Sequence, residues 1–143
     1  MGDGSSEHDE FAGVLLVSEE ILYRQIHPIM FQKERLTSSA FLPRKTDKGL
    51  LSLSRSSMIS AQRAFELHLE SRSESMGVVG AMVSEFTACN IRTYHDPVPA
   101  TLRQPENRAH ANADMRDLGP SRCQKVSKKL SKVAWGRGWL YQP

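Results

Sequence analysis

Apolar residues return at every second position in several short runs of the chain and at every third or fourth in two longer ones, so strands and helices are both expected. The first clear run is Leu22-Tyr23-Arg24-Gln25-Ile26, read as a strand over 21–27. Pro28 stops it by holding His27 extended while bringing no amide donor of its own. Residues 31–35 read as a polar connection, and 37–42 as strand-like up to Pro43. A basic loop, 44–49, with a turn signal in Asp47 and Gly49, leads to a second alternating run. There Leu51, Leu53 and Arg55 share one face, and Leu50, Ser52 and Ser54 the other. A hairpin of 37–42 with 50–54 follows. Residues 78–86 form the strongest core strand, with Val79, Ala81, Val83 and Glu85 on one face; 91–95 form another, stopped by Asp96-Pro97-Val98-Pro99. After a long surface connection over 97–107, residues 109–115 return to the sheet as an edge.

The helical period appears twice. Over 61–70 the stripe is Ala61, Ala64, Phe65 and His68, with Ser57 or Ser60 as the cap. The last helix starts at Gly119-Pro120-Ser121, where Ser121 and Gln124 have capping-box spacing, and ends at Gly136 and Gly138. Cys123, Val126, Leu130, Val133 and Ala134 make its buried stripe. Strands, helix, strands, helix is the order of an α+β fold: a single mixed or mainly antiparallel sheet covered by two helices. Residues 1–10 are Gly, Ser and acid, too polar to offset the entropy of ordering, and are expected as a flexible tail. Residues 11–143 then form a single globular domain, with 11–17 as a first strand or docking segment.

At 143 residues the chain can bury a core without disulfides or metals. Its longest apolar run, Val14 to Val17, is too short to span a bilayer and has no basic residue before it, so neither a membrane span nor a secretory signal is expected and the cytoplasm is the default. Cys89 and Cys123 read as free thiols, Cys123 as a core residue.

The net charge of +3 conceals a polarity. Asp3, Glu7, Asp9, Glu10, Glu19 and Glu20 make the beginning acidic, while Arg122, Lys125, Lys128, Lys129, Lys132 and Arg137 make the end basic. The lysines recur at i, i+3, i+4 and i+7 and precede Trp139 and Tyr141, a pattern suited to phosphates with aromatics for exposed bases; a solvated outer helix face explains the lysines equally well. Lys125, Lys128, Lys129, Lys132 and Arg137 are the candidate nucleic-acid contacts.

Arg24 is the chemically odd residue, because alternation places a guanidinium among Leu22 and Ile26. Either it pairs with an internal acid, for which Glu85 on another apolar strand face is the candidate, or it lines a cleft for an anionic ligand. The histidines, His8, His27, His68, His95 and His110, lack metal-ligand spacing; His95, beside Asp96, with His27 would make an acid–base pair if they met.

Arg24 in a first core strand, Ser52 and Ser54 in a later one, and Glu85 closing an apolar strand faintly resemble the ADP-ribosyltransferase-like superfamily over about 22–86, with Val83 where that family carries a further acid or amide. The resemblance implies NAD as cofactor, with Arg24 on its phosphates, Ser52 or Ser54 on the nicotinamide half and Glu85 on the ribose and the cationic transition state. Leu22-Tyr23-Arg24-Gln25-Ile26-His27-Pro28 and Arg137-Gly138-Trp139-Leu140-Tyr141 also resemble segments of an uncharacterised family of small bacterial proteins. The leading expectation is a small soluble interaction or accessory protein, toxin–antitoxin-like, with a nucleic acid or protein partner and no cofactor. The alternative is an NAD-dependent ADP-ribosyltransferase-like enzyme or a degenerate relative.

Overall fold

A computed structural model describes residues 19–143. The tail expected at 1–10 and the strand or docking segment expected at 11–17 lie outside the described residues. Strand β1 (Ile21–Gln25) is followed by the short pair β2 (Phe31–Gln32) and β3 (Arg35–Leu36), then β4 (Leu50–Arg55), helix α1 (Ala61–Glu70) and strand β5 (Val78–Met82). A five-residue helix α2 (Val83–Thr87), strands β6 (Arg92–His95) and β7 (His110–Asp114), and the long helix α3 (Pro120–Arg137) complete the chain. The main sheet is five-stranded in the order β5-β1-β4-β7-β6, and every neighbouring pair is antiparallel. This is the expected α+β architecture.

One sheet face carries the main core, with Leu22 and Ile26 beside Leu51, Val79, Ala81, Ala111 and Ala113, under Val126, Leu130 and Ala134 of α3. α1 lies against β1 and β5 on the reverse side, burying Ala64, Phe65 and Leu67. Ser60 caps it by accepting the Arg63 amide at 3.0 Å. The chain end seals β5: Tyr141 bridges antiparallel to Val78 and packs its ring 5.3 Å from that of Phe65. Gly80 lies beneath this closure, since a Cβ there would sit 2.7 Å from Leu140 Cδ1.

Several expectations change for physical reasons. Residues 37–42 are not a strand: the Phe41 amide donates to Ser127 Oγ of α3 at 3.1 Å, and that hydroxyl donates onward to the Ser38 carbonyl at 2.8 Å. The hairpin with 50–54 therefore does not form, and β4 pairs with β1 and β7 instead. The connection at 31–35 holds a small hairpin, turning through Lys33 and Glu34 at positive φ. The strand expected over 78–86 ends at Met82, whose amide donates to Glu85 at 2.7 Å and so opens α2, turning Val83 and Phe86 to the core. Strand β7 lies between β4 and β6, so β6 and not 109–115 is the sheet edge. In α3, Gly119 is the N-cap with Pro120 in the first turn, and no side chain caps it, so the Ser121–Gln124 box is not made. Ser127 and Ser131 join its buried stripe, while Cys123 is only partly buried. Among the described residues no helix is long and apolar enough to cross a membrane.

Candidate functional site

Alternation along β1 does put Arg24 on the buried face, 8 % exposed. It is held by neutral atoms. Nε donates to the Ala40 carbonyl at 2.9 Å and Nη1 to the Ser52 carbonyl at 3.2 Å. The reason lies in the ladder: β1 and β4 pair only at Leu22–Arg55 and Tyr23–Ser54, then separate. Ser52 is the next β4 residue whose peptide faces β1, so its carbonyl would otherwise lack a donor there. Burial pushes the guanidinium down to about 10, opposed by the charge of Asp47 and helped by that of Arg44. Arg24 therefore stays cationic at neutral pH.

The internal pairing of Arg24 with Glu85 is not made. Register sets Arg24 opposite Val79 while Ile21 faces Met82, so Glu85, beyond Met82, belongs to the other end of the β1–β5 ladder. The Glu85 carboxylate instead meets both terminal nitrogens of Arg137, at 3.0 Å and 2.7 Å, and caps α2. Burial alone would raise its pKa, but the bonds from Arg137 and the Met82 amide outweigh that and hold it below the usual range. Ser52 and Ser54 point to the sheet face opposite Arg24, with Ser52 exposed and Ser54 partly buried. Arg24, Ser52, Ser54 and Glu85 thus do not converge on one ligand position. Only the backbone of Ser52 meets Arg24.

On α3, Arg122, Lys125, Lys128, Lys129 and Lys132 are all exposed, and no acid of the described residues lies within ion-pair distance of any of them. Arg137 is different: besides Glu85 it donates to the Gly80 carbonyl at 3.0 Å, so it ties α3 to β5. Trp139 is likewise committed, its ring 5.3 Å from Phe31 and 5.4 Å from Trp135. The lysines form the exposed stripe expected from their spacing, whereas Arg137, Trp139 and Tyr141 make contacts within the protein.

The histidines divide as well. His27 Nδ1 accepts the Ile29 amide at 3.2 Å and its Nε2 is 3.3 Å from Glu74. His95 lies on β6, across β4 and β7 from the strand that precedes His27, so the two do not form a pair. Burial lowers the His95 pKa and seals its Nδ1 without a partner. His68 is partly buried, with Nε2 3.2 Å from the Glu74 carbonyl. Its pKa is held down by burial and then by the nearby charges of Arg24, Arg44 and His27.

Sequence reasoning missed the partner of Arg55. Its Nη2 donates to Glu20 at 2.8 Å, and Ser57 Oγ adds a bond to the same carboxylate at 2.6 Å. The signal was available, since Arg55 alternates with Leu51 and Leu53 just as Arg24 alternates with Leu22 and Ile26. It also missed Arg44 and Asp47 as neighbours of Arg24, joined to each other at 3.2 Å. Among the described residues no His, Cys, Asp and Glu cluster could hold a metal ion. No protein-family model matches the chain, and no curated protein or solved structure matches it either, so the functional reading rests on this geometry.

Proposed function

We propose that the protein is an interaction module whose α3 face holds the phosphate backbone of a nucleic acid. One observation carries this reading: Arg122, Lys125, Lys128, Lys129 and Lys132 stand exposed on one helix, and no acid of the described residues lies within ion-pair distance of them. From Arg122 to Lys132 the row spans about 15 Å of helix, enough to meet several phosphates. The contacts are electrostatic and read no sequence, because Trp139 packs against Phe31 and Trp135, and Tyr141 against Phe65, rather than waiting for bases.

Salt dependence tests this. With about four phosphate contacts on duplex DNA, log affinity falls against log salt with a slope of about −3.6, roughly a hundredfold loss between 50 and 200 mM salt. Replacing Lys125, Lys128, Lys129 and Lys132 by Gln should abolish most of that slope in fluorescence anisotropy with a labelled oligonucleotide. Absence of saturable binding to single- or double-stranded oligonucleotides at 50 mM salt rejects the proposal.

A further inference from the structure

We propose that the gap where β1 and β4 part is a second, independent binding site, for a small oxyanion such as a phosphate or carboxylate group, held by Arg24 and Arg44. Nε and Nη1 of Arg24 are occupied by the Ala40 and Ser52 carbonyls, and among the described residues no bond is made by Nη2. Among the described residues the fully sealed side-chain atoms without a partner are His95 Nδ1 and Ser131 Oγ. Nη2 of Arg24 is not among them, so this unbonded nitrogen of a largely buried residue is not wholly closed off from solvent.

Charge points the same way. No carboxylate of the described residues lies within ion-pair distance of Arg24. The acid whose charge acts on Arg24, Asp47, is already bound to Arg44, through Oδ1 at 3.2 Å and through Oδ2 to both Nε and the backbone amide. One carboxylate thus serves two guanidinium groups, and the group keeps a net positive charge. His68 lies close enough for both arginines to disfavour its protonation. A buried cation is normally balanced, and here an oxyanion on Nη2 supplies the missing balance through a charge-assisted bond. The first two donors position the guanidinium; the third is left for the ligand.

Titration of the whole protein with inorganic phosphate, and separately with acetate, tests this against sodium chloride of equal ionic strength. The expected result is a saturable rise in melting temperature with at least one oxyanion, accompanied by a shift of the Arg24 Nε–H resonance; the tighter of the two anions names the ligand class. Arg44→Gln should weaken that binding about tenfold and Arg24→Lys should remove it. If Arg24→Lys does not fold, the Arg44→Gln titration and the Nε–H shift decide. The Lys125, Lys128, Lys129 and Lys132 to Gln variant should retain the response, which separates this site from the basic helix. No saturable response to either anion, an unchanged affinity in Arg44→Gln, or a response lost with the lysines overturns the proposal and leaves Arg24 as a clasp between Ala40 and Ser52.

Discussion

Strand β1 has a buried charge at each end, and the two are treated differently. Glu20, just before the strand and 6 % exposed, receives Arg55 through Nε and Nη2 and Ser57 through its amide and hydroxyl. Arg24, 8 % exposed, donates to two neutral carbonyls and meets no acid of the described residues. The acid is closed within the protein, whereas the base has its shape satisfied and its charge left over. Burial alone therefore does not mark a functional group. Burial with a charge that no neighbouring acid balances is what the proposed oxyanion site rests on, and of the two buried charged residues among those described only Arg24 meets that description.

The sharpest way to break this comparison is to remove each partner in turn. Arg55→Met strands the Glu20 carboxylate, and a loss of about 3–5 kcal/mol is expected in urea unfolding. The same pair sets an acid limit. Burial would raise the Glu20 pKa, but Arg55 and Ser57 outweigh it and hold the folded-state value below 4.5. Its stabilisation is therefore complete above the unfolded value and lost as pH falls through the lower, folded one. Glu20→Gln should flatten that acid dependence, measured as unfolding free energy against pH.

Arg24→Met should cost less, about 1–3 kcal/mol, because it leaves two carbonyls without a donor but also removes an unbalanced charge. A cost equal to that of Arg55→Met would mean the two ends of β1 are equivalent after all. Smaller still is Arg137→Met: Glu85 is 24 % exposed and so keeps access to solvent, and about 1 kcal/mol is expected, seen as fraying of α3 from β5 in hydrogen exchange. Least of all, changing Lys125, Lys128, Lys129 and Lys132 to Gln should move stability by no more than about 0.5 kcal/mol per site, since each is exposed and pairs with no acid of the described residues. A marked loss there would show that the basic face is structural.

The elements most legible in the sequence were those whose pattern is local. The stripe with Ala64 and Phe65 after a serine cap, Ser57 or Ser60, placed α1 from Ala61 to about Glu70, and the period-two run from Leu22 correctly turned Arg24 inward. Residues 37–42 misled because their apolar pair, Ala40 and Phe41, is buried by Ser127 of a helix far along the chain and not by a strand partner. Val83 to Phe86 misled because a strand and a helical turn both fit so short a run, and the Glu85 carboxylate on the Met82 amide decided for the turn. At the candidate sites, the exposed lysines were readable from their spacing, but nothing local showed that Arg137 belonged to Glu85.

Periodicity, capping and breaker residues act over a few positions, so the chain alone determined the α+β class, the main strands, both long helices and the burial of a guanidinium in β1. Which carboxylate each arginine meets depends on strand order and on where β1 and β4 diverge, and those follow from packing over the whole sheet. Coulomb and hydrogen-bond partners are spatial neighbours, not sequence neighbours. Only the tertiary structure, therefore, decided that Glu85 belongs to Arg137, Glu20 to Arg55, and that Arg24 is met by carbonyls and by no acid of the described residues.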